Sequence, residues 1–364
     1  MPNYIVISIV FISAFLCTLI SVPIVSSFAL RFKLFDRPDE RKQHKKNIVR
    51  LGGIAIFLGI YLSFFILVNL SLINIDNIFW TIFKFAPLFF LVGFSDDILN
   101  LSPFLRLFLQ VTISTLVWVG GIQINEINLT PFLIDNISFN LSNTFSLLFT
   151  VFWIVGMINA INWMDGLDGL ATGIIVMSIL GLILITISRE NFEGLIFLVS
   201  ILGVCLSFLI YNLYPAKILM GDGGSYFLGF LSSTLSLHAL TPLSEIDQGL
   251  DFEFVRIFLI FAIPLIDMVI VILSRMQSNK SIFFPDRSHI HHRLLDRGFK
   301  HKDAVTLILS LSQFLVCIAV VLTVNRFIPI LISTSIFIMF SLILLICDKK
   351  NLLQLNIAPI NKKN

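Results

Sequence analysis

Two amides, two carboxylates and two glycines crowd into Asn159-Ala160-Ile161-Asn162-Trp163-Met164-Asp165-Gly166-Leu167-Asp168-Gly169, between long apolar runs. Near hydrocarbon such groups are expensive, with a carboxylate at a bilayer centre costing roughly 2.5–3.5 kcal/mol. They line polar cavities, bind ions or do chemistry. Asn159 and Asn162 share a helix face, while Gly166 and Gly169 let the backbone bend or approach a ligand. Helix capping by Asp165 or Asp168 explains one acid, but not two acids and two amides.

Three further segments carry the same signal. Asp96 and Asp97 end an apolar run, and adjacent carboxylates repel unless a cation sits between or beside them. Mg2+ suits such a pair, because it takes hard oxygen ligands and often only one or two carboxylates plus substrate phosphates. Gly221-Asp222-Gly223-Gly224-Ser225 places flexible N–H groups at a helix start, which favours an anion. Asp222 would repel that anion unless it holds a cation, so a metal–diphosphate site resolves the conflict. His289-Ile290-His291-His292 follows Arg287 and gathers three of the six histidines. Zinc ligation is one reading of them. Hydrogen bonding to phosphate or sugar oxygens is the other, with Arg287 as a fork-shaped donor. The basic segment 31–50, including Lys45, serves first as an orientation signal, and part of its charge can meet lipid phosphates or an anionic nucleotide.

The elements that must position these groups are transmembrane helices. The 364 residues are 57% apolar and 13% charged, whereas a soluble domain is about 45–50% apolar and about 25% charged. Cys17, Cys205, Cys317 and Cys347 are scattered singly with no metal-ligand spacing. The predicted fold is an all-α polytopic membrane protein, a single integral-membrane domain over 1–347 with a short cytoplasmic tail at 348–364. Apolar windows of about 20 residues predict about eleven spans, near 4–30, 51–72, 79–95, 104–121, 143–161, 168–187, 194–214, 223–242, 255–275, 303–324 and 328–347. The first lacks a signal peptide's charged start and reads as a retained helix. Pro23 and Pro264 are predicted kinks.

With the N-terminus outside, 21 of the 25 Lys and Arg fall on the cytoplasmic side, leaving Lys84, Arg189, Arg256 and Arg326. This fits the positive-inside rule and makes the C-terminus cytoplasmic. It also places all four polar segments at cytoplasmic span ends. A secondary transporter would hold its acids near the midplane of repeated, broken helices. Here the acids lie at one edge and no internal repeat is evident; a non-catalytic scaffold would not need four converging polar segments.

Together these segments resemble the polyprenyl-phosphate N-acetylhexosamine-1-phosphate transferase family. The resemblance runs from about Asp36 to Arg293, through the paired aspartates, Asn-x-x-Asn-x-x-Asp-Gly-x-Asp-Gly, Gly-Asp-x-Gly-Ser and Pro-Asp-Arg-x-His-Ile-His-His. The last form looks like the branch using UDP-N-acetylglucosamine. Asn100 stands where the UDP-MurNAc-pentapeptide branch usually has a lysine. The sequence departs from the family at Phe104, with Arg106 nearby, and at Val49, Asn279 and Ile282.

The resemblance implies transfer of a sugar 1-phosphate from a UDP-N-acetylhexosamine to undecaprenyl phosphate, with Mg2+ or Mn2+, in the cell membrane. The implied metal ligand is Asp222, with Asp97 or Asp168 as the second acid. Asp96 is the implied proton acceptor. Asn159, Asn162, Asp165, Lys45, Arg106, Arg287, His289, His291 and His292 would position substrates. Implied partners are the bilayer and those two substrates, with no nucleic acid and with a homodimer left open.

Overall fold

The computed structural model describes residues 3–32, 48–70, 77–129, 138–240, 250–281 and 287–323. Lys45, the eleventh expected span at 328–347 and the tail lie outside the described residues. The first eight expected spans correspond to α1 (Asn3–Arg31), α2 (Gly52–Asn69), α3 (Asn77–Leu99), α4 (Pro103–Val119), α5 (Asn143–Met164), α6 (Leu170–Ser188), α7 (Phe192–Asn212) and α8 (Gly221–Leu240). The ninth is divided into α9 (Phe254–Ile260) and α10 (Ala262–Gln277), and after the short α11 (Ile290–Asp296) the tenth is α12 (His301–Thr323). Among the described residues seven helices are long and apolar enough to cross a membrane, or eight if the bent α9–α10 pair is one span. The chain is thus a helical, multi-pass membrane protein.

Local chemistry explains several boundaries. Ser102 caps α4 by accepting from the Leu105 N–H at 3.2 Å, and Pro103 occupies the first turn, where a missing N–H costs nothing. Asn191 caps α7 through the Gly194 N–H at 2.9 Å. The first span stays helical through Pro23. The ninth is bent by 87°. Its break falls at Phe261, just after Ile260, because the Pro264 ring has no N–H and crowds the carbonyl four residues back.

Beside the helices lies a small sheet of order β2-β1-β3, formed by β1 (Ile124–Asn128), β2 (Ser138–Asn140) and β3 (Leu250–Glu253). β1 pairs antiparallel with β2 and parallel with β3. The sheet adjoins the N-terminal half of α5, where the Ile124 N–H donates to Thr150 Oγ1. Nearby, Glu253 is buried between Arg189 and Arg256, each 2.6 Å from one of its carboxylate oxygens. An acid that reads as part of a solvated outer loop is therefore a structural anchor.

The centre of the bundle is α8, which packs on α2, α3, α5, α6 and α7 and is buried at every residue except Asp222. Small residues permit that closeness. A Cβ at Gly53 would collide with the Gly224 backbone, and one at Gly93 with the Asp222 carbonyl. Gly93→Ala should therefore push α3 from α8 and cost about 1–3 kcal/mol by overpacking. A thermal unfolding midpoint in detergent equal to that of the unaltered protein would contradict this.

Candidate active site

The C-terminal ends of α3 and α5 and the N-terminal end of α8 meet at one end of the bundle, opposite the sheet. Asp97, in the last turn of α3, aims at the first turn of α8: its two oxygens accept the Asp222 and Gly223 N–H groups at 2.9 Å each. The anion at that helix start is thus the protein's own carboxylate. The turn requires glycine, since Gly221 has φ +74° and a Cβ there would strike the Arg50 carbonyl.

Asp222 sits beside Asp97 and is held from two other sides. Asn162 Nδ2 donates to Asp222 Oδ1 at 2.8 Å and to Ser225 Oγ at 2.9 Å. Arg50 Nη2 lies 3.1 Å from Asp222 Oδ1, and its Nε lies 3.4 Å from Asp97 Oδ1. Sequence reasoning counted Arg50 only within the basic segment 31–50, as an orientation charge that could also meet lipid phosphates or a nucleotide. Its position directly before Leu51-Gly52-Gly53, at the mouth of α2, was the available signal.

The adjacent Asp96 reaches Asp222 with its side chain and is held from the other side by Arg106. Arg106 Nη1 donates to its Oδ2 at 2.5 Å, and the Leu101 N–H donates to its Oδ1 at 2.9 Å. Arg106 thus meets the first aspartate of the pair although Phe104 occupies the position that is often basic in relatives. Consecutive acids on one helix point about 100° apart, so Asp97 meets the backbone of the α8 start while Asp96 meets Arg106 and the Asp222 side chain.

Asp165 is the C-cap residue of α5, and Asp168 lies in the following turn. Neither caps α6, whose N-cap is Gly169 at φ +75°. Burial pushes the Asp165 carboxyl up to about 8; Arg50 opposes that, and the charges of Asp222, Asp97 and Asp168 reinforce it. Asp168 is buried and its Oδ2 accepts the Ala216 N–H at 2.9 Å, bracing the segment that leads to Asp222. Asp97, rather than Asp168, is the acid hydrogen-bonded to the Asp222 segment. Asn159 is engaged one turn back, donating to Gln110 Oε1 at 2.7 Å and to its own helix.

The histidine segment packs on the Asp165–Asp168 turn. A Cβ at Gly166 would overlap the His291 ring, which explains a glycine there. His289 stands edge-on to Trp163, with ring centroids 5.4 Å apart, and is held by Asp267 of α10. One Asp267 oxygen lies 2.7 Å from His289 Nδ1, and the other accepts the Ile290 N–H at 2.6 Å. Asp267 escaped the sequence reading, although a single acid inside the apolar ninth span was itself the signal. Arg287 instead makes an exposed pair with Asp296 at 2.7 Å.

His291 is 1% exposed, its Nδ1 has no hydrogen-bond partner, and burial, then His292, His289 and His301, pull its pKa down to about 3. Above pH 6.5 the ring is neutral whether folded or unfolded. Below that the unfolded chain binds a proton that the folded chain refuses, so stability falls by up to about 1.4 kcal/mol per pH unit toward pH 3. The unfolding midpoint in detergent should drop between pH 6.5 and 5, and His291→Gln should flatten that decline; an unchanged decline would refute it.

Among the described residues no three His, Cys, Asp or Glu side chains form a closed metal cage, so the zinc reading of the histidines finds no support. Asp97 and Asp222 instead bring hard carboxylate oxygens together beside an amide, Asp222 being the more exposed of the two. That donor set fits Mg2+, which keeps water and substrate phosphates among its ligands.

Fold and site together define a multi-pass membrane enzyme whose polar chemistry is confined to one end of its helical bundle. The family described as Glycosyl transferase family 4 matches residues 79–240. A Bacillus subtilis protein named "Probable undecaprenyl-phosphate N-acetylglucosaminyl 1-phosphate transferase" is 32% identical over 97% of this chain and 95% of its own length. A Thermotoga maritima undecaprenyl-phosphate alpha-N-acetylglucosaminyl 1-phosphate transferase is 33% identical over 82% of this chain and 83% of its own. A Mycobacterium leprae decaprenyl-phosphate N-acetylglucosaminephosphotransferase is 28% identical over 83% and 80%. The chain belongs to glycosyl transferase family 4, within its polyprenyl-phosphate N-acetylhexosamine-1-phosphate transferases.

Proposed function

We propose that this enzyme transfers N-acetylglucosamine 1-phosphate from UDP-N-acetylglucosamine to undecaprenyl phosphate in the cell membrane and releases UMP. The observation that carries the reading is the meeting of Asp97, Asp222, Asn162 and Arg50 at one bundle end. An acid pair that can hold a divalent cation, beside a guanidinium, is what two anionic reactants need in order to approach each other. The relatives' names agree on N-acetylglucosamine and differ in the polyprenyl chain.

In this reading Asp222 and Asp97 hold Mg2+, which supplies charge neutralisation at the phosphates. Asn162 fixes the Asp222 oxygen that would face the cation. Asp96 takes the acceptor phosphate's proton, an easy transfer when that group has a second pKa of about 6, and Arg106 beside it holds the phosphate. His289, His291, His292 and Arg287 bind the nucleotide and sugar oxygens from the opposite wall.

The site end faces the cytoplasm, where the basic residues concentrate. Eleven spans with the N-terminus outside complete this topology, and the product opens a cell-surface polysaccharide pathway. The experiment is mass analysis of the lipid formed from undecaprenyl phosphate. A product heavier by N-acetylglucosamine plus phosphate is expected; addition of the sugar without phosphate would refute the reading.

A further inference from the structure

Arg50 is fixed by backbone as well as by charge. Val49 and Ile218 form a parallel bridge, and the Leu219 N–H donates to the Val49 carbonyl at 2.8 Å. Beyond Arg50, the Gly52 and Gly53 N–H groups donate to the Leu219 and Met220 carbonyls at 2.9 and 2.7 Å. The strand of chain carrying Arg50 is therefore laced to the strand that delivers Asp222. From that anchor the guanidinium reaches both Asp97 and Asp222, while its side chain stays 43% exposed. Its Nε and Nη2 meet the acids while the side chain remains partly exposed.

We propose that Arg50 acts as the counter-charge of the Asp97–Asp222 pair in the ligand-free enzyme and as a ligand of the donor's diphosphate in the loaded one. The inference rests on the nucleotide-sugar reading above. A single guanidinium charge lies between two carboxylates that are also the hard-oxygen pair suited to a divalent cation, so guanidinium and cation compete for the same oxygens. Once displaced, Arg50 keeps its charge and its planar fork, which matches phosphate oxygens. Its backbone lacing holds it at the mouth of the site, so displacement turns the side chain and leaves the anchor in place.

The test is Mn2+ binding to the full-length, detergent-solubilised protein, read by electron paramagnetic resonance without substrates. Removing the competitor in Arg50→Ala should tighten Mn2+ binding by roughly threefold to tenfold. The same variant should raise the KM for UDP-N-acetylglucosamine by roughly tenfold to a hundredfold, because a charge-assisted fork is lost. Arg50→Lys keeps the charge without the fork, so Mn2+ affinity should return toward the original value while KM stays raised. Mn2+ affinity that is unchanged or weaker in Arg50→Ala overturns the competition. An unchanged donor KM overturns the diphosphate role. If the unaltered enzyme turns over no UDP-sugar, the nucleotide-sugar reading fails, whereas the Mn2+ titration alone still decides the competition.

Discussion

Asp222→Asn should reduce turnover by at least about 10³-fold, while the protein inserts, purifies and unfolds much as before. The asparagine is nearly the same size, its side-chain oxygen can still accept from Asn162, and the Ser225 hydroxyl still donates to the backbone carbonyl at this position. What it loses is the negative charge that balances Arg50 and completes the oxygen pair with Asp97. The loss should appear in kcat, and Mn2+ binding should weaken in parallel. Near-normal turnover of Asp222→Asn would remove the carboxylate pair from the account. Asp222 lies in the first turn of the most buried helix, so the circular dichroism of the variant must match the original for the comparison to stand.

The second large effect is expected at Asp267. Its carboxylate, 4% exposed, accepts from the Ile290 N–H and engages His289 Nδ1, so it sets both the path of the histidine segment and the tautomer of its first ring. Asp267→Ala should lower kcat/KM by roughly 10²-fold or more, because a loop misplaced by about 1 Å can cost that much. Asp267→Asn is more telling. It can still accept from Ile290, yet an amide facing His289 allows the wrong tautomer, a change known to cost activity with geometry intact. If Asp267 only braces the loop, Asp267→Asn should be close to normal with an unaltered pH profile. Positioning of His289 predicts a large loss, a shifted profile and partial recovery in Asp267→Glu.

Much of this site was legible in the sequence because carboxylates and amides at the ends of apolar runs have few structural excuses. Asp97, Asn162 and Asp222 were marked for that reason, and they meet within hydrogen-bonding distance. Arg50 and Asp267 were not marked. Arg50 was hidden among the many basic residues that explain orientation, and Asp267 was diluted by the hydropathy of its span. The direction of each acid was also unreadable: nothing in Asp96-Asp97 says that one pairs with Arg106 and the other accepts from the α8 backbone.

The helices were legible because each is continuous and apolar. Pro264 gave the kink and its place at Phe261, and only packing makes it as large as 87°. The sheet could not be read. Its strands are three to five residues long, and the parallel partner of β1 lies more than a hundred residues away in the chain. Pairing at that separation depends on the helices that bring the strands together.

The central claim is most directly tested by UMP release from the purified protein supplied with UDP-N-acetylglucosamine, undecaprenyl phosphate and Mg2+. The account predicts release that requires the lipid phosphate and the cation together and that disappears in Asp222→Asn. Well-folded protein that releases no UMP from any UDP-N-acetylhexosamine under these conditions would contradict it.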